Sequence, residues 1–307
     1  MPKIALKIDV DTYRGTREGV PRLIDALKRH HAGATFLFSL GPDHTGRAVR
    51  RAFRRGFMKK VSRTSVLEHY GIVTLLYGTL LPGPDIGVRC ADILRSVRDA
   101  GFETGIHTWD HVKWQDGVAQ ADAAWTAEQM ELACKRYESV FGERARVHGA
   151  AGWQMNRHAY RLTQQLGFSY CSDTRGNRPF IPVINGEIVA CPQLPTTLPT
   201  LDELIGVGDI TVESVADHLL HLSADHRTSG HVYTLHAELE GMKLLPVFER
   251  LLEGWRAAGH ELVSLCDYAG RLDAGALPRH AVIDGEIPGR SGTLSVQDGD
   301  FLAEAAP

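Results

Sequence analysis

Residues 3–23 read KIALKIDVDTYRGTREGVPRL and indicate the fold class more clearly than any other stretch of the chain. Lys3–Val10 is an apolar, β-rich run that predicts a strand. After a polar loop, apolar residues recur at positions 20, 23, 24 and 27, the spacing of one face of an amphipathic helix. A strand followed by a helix is the repeating unit of α/β proteins.

The strand–helix alternation continues to about residue 270. Residues 34–40 (ATFLFSL) are a second apolar run, typical of a strand that is buried on both faces of a parallel sheet. The pattern further predicts helices over 91–100, 119–141, 157–166, 212–219 and 244–257, and strands over 103–106, 147–150, 168–172, 231–235 and 261–265. We therefore expect an α/β fold with a parallel sheet or barrel.

The composition is that of an ordinary globular protein. The 307 residues are 43% hydrophobic and 23% charged with a formal net charge of −3, which excludes disordered, collagen-like and disulfide-stapled proteins. We find no apolar run long enough to span a membrane. The five cysteines are scattered without a Cys-x-x-Cys pair, and the N-terminus has no signal-peptide pattern, so we expect a cytoplasmic protein.

Residues 41–85 interrupt the alternation. Eight Lys or Arg and no acidic residue lie between Arg47 and Arg63, with a spacing that predicts a basic amphipathic helix. This helix is either a solvated face or a docking surface for the anionic cytoplasmic leaflet. Nucleic acid is disfavoured because no aromatic platform accompanies the charges. The residues expected to contact the membrane are Arg50, Arg51, Arg54 and Arg55.

The chain is expected to form one domain over residues 1–272, with the 41–85 segment as an insert. Residues 273–307 are rich in Gly, Ala and Asp. This composition predicts a loosely packed tail.

Two groups of metal-ligand residues follow predicted strands. Asp9 and Asp11 lie two apart on a strand and therefore point to the same face. His107 and His111 are four apart, a spacing that presents both imidazoles to one metal when they share a helical turn. Neither pair alone is specific for a metal. Two Asp two apart also occur at solvated strand ends, and a His pair arises easily by chance in a chain with 15 His. Together, two His and one carboxylate form a set that leaves positions open for water and substrate, which indicates catalysis.

His236 follows the apolar strand predicted over 231–235, and Glu238 comes two residues later. A histidine at this position is either a hydrogen-bonded core residue or, next to a metal site, a candidate general acid. Two more polar segments end strands in the same way, AAGW over 150–153 and YCSDTRG over 170–176.

The order of these clusters resembles the NodB-type polysaccharide deacetylases, carbohydrate esterase family 4. Within this family the sequence is most similar to the deformylases that act on a lipid-linked sugar, and the similarity covers about residues 3–270. The segments that carry it are 8–23, 151–153, 172–176, 194–200 and 236–238.

The resemblance implies a distorted (β/α) barrel and one divalent metal ion (Zn, Mn, Co or Ni). It implies hydrolysis of the N-formyl group of 4-deoxy-4-formamido-L-arabinose-phosphoundecaprenol, a step of lipid A modification in resistance to cationic peptides such as polymyxin. The protein is then peripheral on the cytoplasmic face of the inner membrane. Carried over by position, Asp9 is the general base, Asp11, His107 and His111 the metal ligands, His236 the general acid and Asp173 the acid that supports His236.

The third motif departs from the deacetylase pattern, because HGAAGW over residues 148–153 lacks the Arg that pairs with the base. We hypothesise that Arg14 or Arg175 takes that role, and we expect both to bind substrate together with Trp153 and Glu238. Two other functions stay open. One is N-deacetylation of a polysaccharide or another amidated sugar, and the other is a non-catalytic barrel that binds lipid or sugar.

Overall fold

The computed structural model describes residues 1–48, 73–225 and 229–301. Its strands are β1 (Lys3–Val10), β2 (Thr35–Ser39), β3 (Glu103–Thr108), β4 (Val147–His148), β5 (Tyr170–Cys171), β6 (Ile181–Ile184), β7 (Glu187–Ile188), β8 (His231–His236), β9 (Glu261–Val263), β10 (Arg279–Gly285) and β11 (Leu294–Asp300). Its α-helices are α1 (Val20–Arg29), α2 (Ile86–Arg89), α3 (Ala91–Asp99), α4 (His111–Gly117), α5 (Ala123–Phe141), α6 (Arg157–Gln165), α7 (Leu201–Leu204), α8 (Val215–Leu222), α9 (Leu245–Ala257) and α10 (Leu265–Ala269).

The central sheet is parallel and curled, as expected for a distorted (β/α) barrel. Among the described residues its strand order is β5-β4-β3-β2-β1-β8, and β9 pairs with the start of β1. Asp9 lies beside His236 in the β1–β8 register, and Ile106 lies beside His148 in the β3–β4 register. Because parallel strands end at the same edge of a sheet, the polar residues that follow them gather at one end of the barrel.

The two faces of β1 meet different surroundings because its side chains alternate. Ile4, Leu6 and Ile8 pack in the large apolar core that also contains the buried faces of the outer helices. Ala5 points the other way, into a smaller apolar cluster inside the barrel. Lys7 shares that inward direction and is fully buried, so a charged side chain lies inside the barrel next to Asp9.

The structure also contains a second, four-stranded sheet, and the sequence pattern did not predict it. Its strand order is β11-β10-β6-β7, with the β10–β11 hairpin joined to β6 by parallel pairing. The expectation of a loosely packed tail from Asp273 therefore needs correction. The hairpin is anchored by buried Leu294 and Ser295, and the Arg175 backbone bonds to residues 295 and 297.

The basic run of the insert, including Arg50, Arg51, Arg54 and Arg55, lies outside the described residues, so its predicted membrane contact stays a prediction. The described part of the insert contains a short 3₁₀ turn, Thr74–Leu76. Across residues 1–48, 73–225 and 229–301, the structure contains no helix with the length and apolarity needed to cross a bilayer.

Candidate active site

Asp11, His107 and His111 come together at the carboxyl end of the central sheet. Asp11 follows β1, and its two oxygens lie 3.2 Å from His107 Nε2 and 3.4 Å from His111 Nε2. The sequence spacing had suggested that the two imidazoles share one helical turn. The structure shows that this was wrong. His107 is on β3, whereas His111 begins α4 after Asp110, whose side chain caps that helix by accepting a hydrogen bond from Lys113 N.

The hydrogen bonds around these three residues suit a metal ion. His107 Nδ1 lies 2.6 Å from the Gly149 carbonyl oxygen and must donate to it, which leaves Nε2 as a lone pair that faces Asp11. Asp11 Oδ1 is buried and accepts no hydrogen bond. A lone pair and a carboxylate oxygen at this distance are arranged like two ligands of one cation, so the three side chains fit a metal ion and form a candidate metal site.

The electrostatics of Asp11 and His111 agree with this donor set. Burial disfavours the charge on Asp11, but the neighbouring His111 and His107 outweigh it and hold the pKa of Asp11 well below its usual range. Burial lowers the pKa of His111, although Asp11 opposes this, which favours the neutral imidazole that binds metals.

Glu238 supports the metal site from behind. It is 2% exposed, and its Oε1 accepts hydrogen bonds from the backbone of Asp11 and from the backbone and hydroxyl of Thr12. Gly15 leaves room for it, since a Cβ at Gly15 would lie 2.0 Å from that same oxygen. The structure therefore places Glu238 behind Asp11, and its expected contact with substrate stays a prediction.

Asp9 and His236 lie side by side on β1 and β8, near the candidate metal ligands. Asp9 is 3% exposed, and its Oδ1 accepts no hydrogen bond within the described structure. His236 Nδ1 is likewise buried without a hydrogen bond, while the His236 backbone N–H donates to Glu240 Oε2 at 2.9 Å. The site thus brings together a carboxylate that can accept a proton and an imidazole that can donate one.

The model of the polysaccharide deacetylase family matches residues 2–171, more than half of the chain. This chain belongs to the polysaccharide deacetylase family. The resemblance seen in the sequence is thereby confirmed, and so is the prediction of a hydrolase that cleaves an amide bond.

Two curated relatives have the same length range and carry the same name. A 4-deoxy-4-formamido-L-arabinose-phosphoundecaprenol deformylase of Shewanella sediminis is 37% identical over 96% of this chain and 94% of its own. Its counterpart from Wigglesworthia glossinidia brevipalpis is 30% identical over 92% of this chain and 98% of its own. Among solved structures, a polysaccharide deacetylase from Mycobacterium smegmatis has a TM-score of 0.62 at 17% identity, covering 93% of this chain and 96% of that one, which confirms the fold.

Lys7 is the cation beside Asp9. Its Nζ lies 3.4 Å from Asp9 Oδ2 and donates to the Ser172 carbonyl at 3.0 Å. The hypothesis that Arg14 or Arg175 takes this role stays a prediction. Arg14 pairs with Glu18 at 3.2 Å, and Arg175 pairs with Glu203 at 2.5 Å. The missed signal was a lysine within the run predicted as a strand, two residues before Asp9.

Asp173 does not support His236 as expected. Its Oδ1 accepts from His148 Nδ1 at 2.7 Å and from the Ala150 backbone at 2.9 Å, and its Oδ2 accepts from Gln193 at 3.0 Å. Cys171 lies close enough to His148 and Asp173 for a metal cluster, but both Asp173 oxygens are already occupied by donors.

Trp153 was expected to line the sugar pocket, yet it is only 1% exposed. The Arg175 guanidinium lies 5.0 Å and the Arg290 guanidinium 4.3 Å from its ring centroid. Its backbone has a φ of +54°, and its indole N–H donates to the Thr196 hydroxyl at 3.1 Å. Arg290, from the segment expected to be a loose tail, therefore covers the indole.

Proposed function

We propose that this protein removes the N-formyl group from 4-deoxy-4-formamido-L-arabinose linked to undecaprenyl phosphate, releasing formate and the amino sugar lipid. The observation that carries the proposal is one edge of the barrel on which a buried carboxylate, an imidazole and a candidate metal site meet. The curated relative that is 37% identical supports this choice of substrate, because its name specifies that lipid.

In this reaction Asp9 takes a proton from the attacking water through its unoccupied Oδ1. Lys7 holds the other oxygen of Asp9 and fixes the orientation of the carboxylate. His236 then gives a proton to the sugar nitrogen as the C–N bond breaks, a transfer usually worth about 10²–10⁴-fold in rate. Formate and the free amine account for all atoms of the amide and the water.

Asp11, His107 and His111 would hold one divalent ion. The chemistry that such an ion supplies when bound is polarisation of the amide carbonyl and acidification of water. Two imidazoles and a carboxylate suit Zn, Mn, Co and Ni alike, and we propose one of these four.

We further propose that the insert docks on the anionic cytoplasmic leaflet, where the lipid-linked substrate lies. The described part of the insert supports this with exposed apolar side chains: Leu80 is 80%, Val73 55% and Leu81 40% exposed. Exposed apolar residues next to a run of basic residues are the usual combination for binding an anionic membrane surface. The protein is then peripheral on the inner membrane.

The competing function is N-deacetylation of a polysaccharide or another amidated sugar. The test compares formate release from an N-formyl aminoarabinose phospholipid with acetate release from the same lipid carrying an N-acetyl group. The proposal predicts fast formate release and little acetate. Preferential acetate release would reassign the protein to the deacetylases, and binding of both lipids without any release would identify a non-catalytic barrel.

A further inference from the structure

The loop of the C-terminal hairpin, residues 286–293, is docked against neighbouring elements on two sides. Gly289 has a φ of +85°, and a Cβ there would lie 2.4 Å from the Glu203 carbonyl oxygen, so the loop touches α7 backbone to backbone. On its other side, Gln154 Nε2 donates to the Thr293 carbonyl at 2.6 Å. The loop is thus held between α7 and the turn that contains Trp153.

Arg290 at this loop reaches between the two elements. Its Nε donates to Glu203 Oε1 at 2.6 Å, and its guanidinium lies 4.3 Å from the Trp153 ring centroid. Arg175 binds the same Glu203 oxygen at 2.5 Å from a more buried position. Arg290 is therefore the outer of two guanidiniums that share one carboxylate, with a side chain that is 17% exposed against 7% for Arg175.

Arg290 and Lys7, the partner of Asp9, both lie over the Trp153 ring, with Lys7 Nζ 5.1 Å from its centroid. Arg290 Nη2 is buried, makes no hydrogen bond in the described structure, and lies 3.6 Å from Asp202 Oδ2, beyond hydrogen-bond length. The charges of Asp9 and Asp202 both act on Arg290, and the charge of His236 acts on Asp202. A buried guanidinium N–H without an acceptor is typical of a position where a ligand supplies the acceptor.

We infer that Arg290 binds a phosphate oxygen of the substrate, so that the C-terminal hairpin selects phosphorylated sugars. This inference rests on the proposed function, since the phosphodiester that links sugar and polyprenol is the only anion in that substrate. Guanidinium groups match phosphate oxygens in geometry and charge, and Arg290 is held rigidly by Glu203 and Trp153.

The test uses two soluble probes, a short-chain alkyl phosphodiester of 4-formamido-4-deoxy-L-arabinose and its neutral methyl glycoside. For Arg290→Gln we expect KM for the phosphodiester to rise about 10- to 100-fold, the loss of one charge-assisted hydrogen bond, with kcat little changed. KM for the neutral glycoside should not change. Arg290→Lys should recover part of the affinity, because it keeps the charge but not the planar fork. The matched control is Arg279→Gln, which removes an exposed arginine from the same hairpin and should change neither KM.

Equal losses on both probes would show that Arg290 only supports the fold, and an unchanged KM for the phosphodiester would show that it does not contact phosphate. Either result overturns the inference. If the wild type hydrolyses neither probe, the proposed function fails separately. Calorimetric binding of both probes to the wild type and Arg290→Gln then decides the inference, which requires a weaker phosphodiester affinity in the variant alone.

Discussion

Lys7 and Asp9 form an ion pair inside the barrel, where each charge depends on the other. Lys7 is fully buried and Asp9 is 3% exposed, so neither can be solvated if its partner is removed. A charge left alone in such a place costs several kcal/mol, whereas removal of both charges is often tolerated.

We therefore expect Lys7→Met to lower the free energy of unfolding of the metal-free protein by about 3–5 kcal/mol, measured by urea denaturation. The double variant Lys7→Met/Asp9→Asn should recover most of this loss. The matched control is Lys3→Met on the same strand, whose partner Glu261 is 37% exposed, and it should cost about 1 kcal/mol or less. A double variant no more stable than Lys7→Met would contradict the pairing.

Glu240 predicts a pH dependence of stability. Burial, opposed by His236, raises its pKa from 4.5 to about 7. Between these two pH values the folded state keeps a proton that the unfolded state releases. The free energy of unfolding is therefore highest below pH 4.5 and falls as pH rises through the window. The free energy of unfolding should fall by about 3 kcal/mol across this window, because each pKa unit corresponds to about 1.4 kcal/mol.

Glu240→Gln removes this titration and should gain stability relative to the wild type as pH rises from about 4.5 to 7. The measurement is urea unfolding of both proteins at several pH values in that window. A difference between the two proteins that stays constant with pH would show that Glu240 does not titrate there.

At the scale of single residues, the sequence identified the groups with a position in a motif and missed those defined by packing. Asp9, Asp11, His107, His111 and His236 all lie at one edge of the sheet, as expected from strand ends. Lys7 and Arg290 could not be recognised, because an isolated basic residue in a strand or a loop has no pattern that reports its spatial neighbours.

Among the elements, the strands and helices of the barrel were predictable and the second sheet was not. The buried strands are continuous apolar runs and the helices show a 3.6-residue period, so β1 and the helix near 245–257 were predicted within a residue or two. By contrast β10 and β11 are largely half-buried or exposed and contain Gly and Asp, which are depleted in strands. Their pairing with β6 is a long-range contact that local sequence does not encode.

The hairpin loop offers a prediction at this scale. Gly289 and Gly292 both have a positive φ, but a Cβ at Gly289 would meet the Glu203 carbonyl, whereas a Cβ at Gly292 meets nothing within 4 Å. Gly292→Ala should cost roughly 1 kcal/mol of unfolding free energy from backbone strain alone. Gly289→Ala should cost a further ~1–3 kcal/mol from crowding and weaken substrate binding as the loop moves. If the two variants lost the same unfolding free energy and bound substrate equally well, the loop would not be docked on α7.

The whole molecule combines a barrel, a hairpin that packs against α7 and the Trp153 turn, and an insert that carries the basic run. An anionic leaflet stabilises each bound basic residue by about 1 kcal/mol. Replacing Arg50, Arg51, Arg54 and Arg55 by Gln should therefore lower the binding constant for anionic liposomes, measured by flotation, by about 10²–10³-fold. The control changes the same number of charges elsewhere, at exposed Arg22, Arg144, Arg146 and Arg157, and should float nearly as the wild type does. Equal flotation of the two variants would remove the insert from the membrane contact.

The central claim is that Asp11, His107 and His111 hold a metal on which hydrolysis of the formyl lipid depends. The most direct measurement is mass spectrometry of the formamido-arabinose phospholipid after incubation with the purified protein, with chelator, and with chelator followed by metal. We expect a product lighter by one carbonyl group, its loss on chelation and its return with metal. His107→Ala should bind no stoichiometric metal and form no product, while Asp9→Asn should keep the metal and lose the activity. Undiminished conversion in chelator, or stoichiometric metal in His107→Ala, would contradict the account.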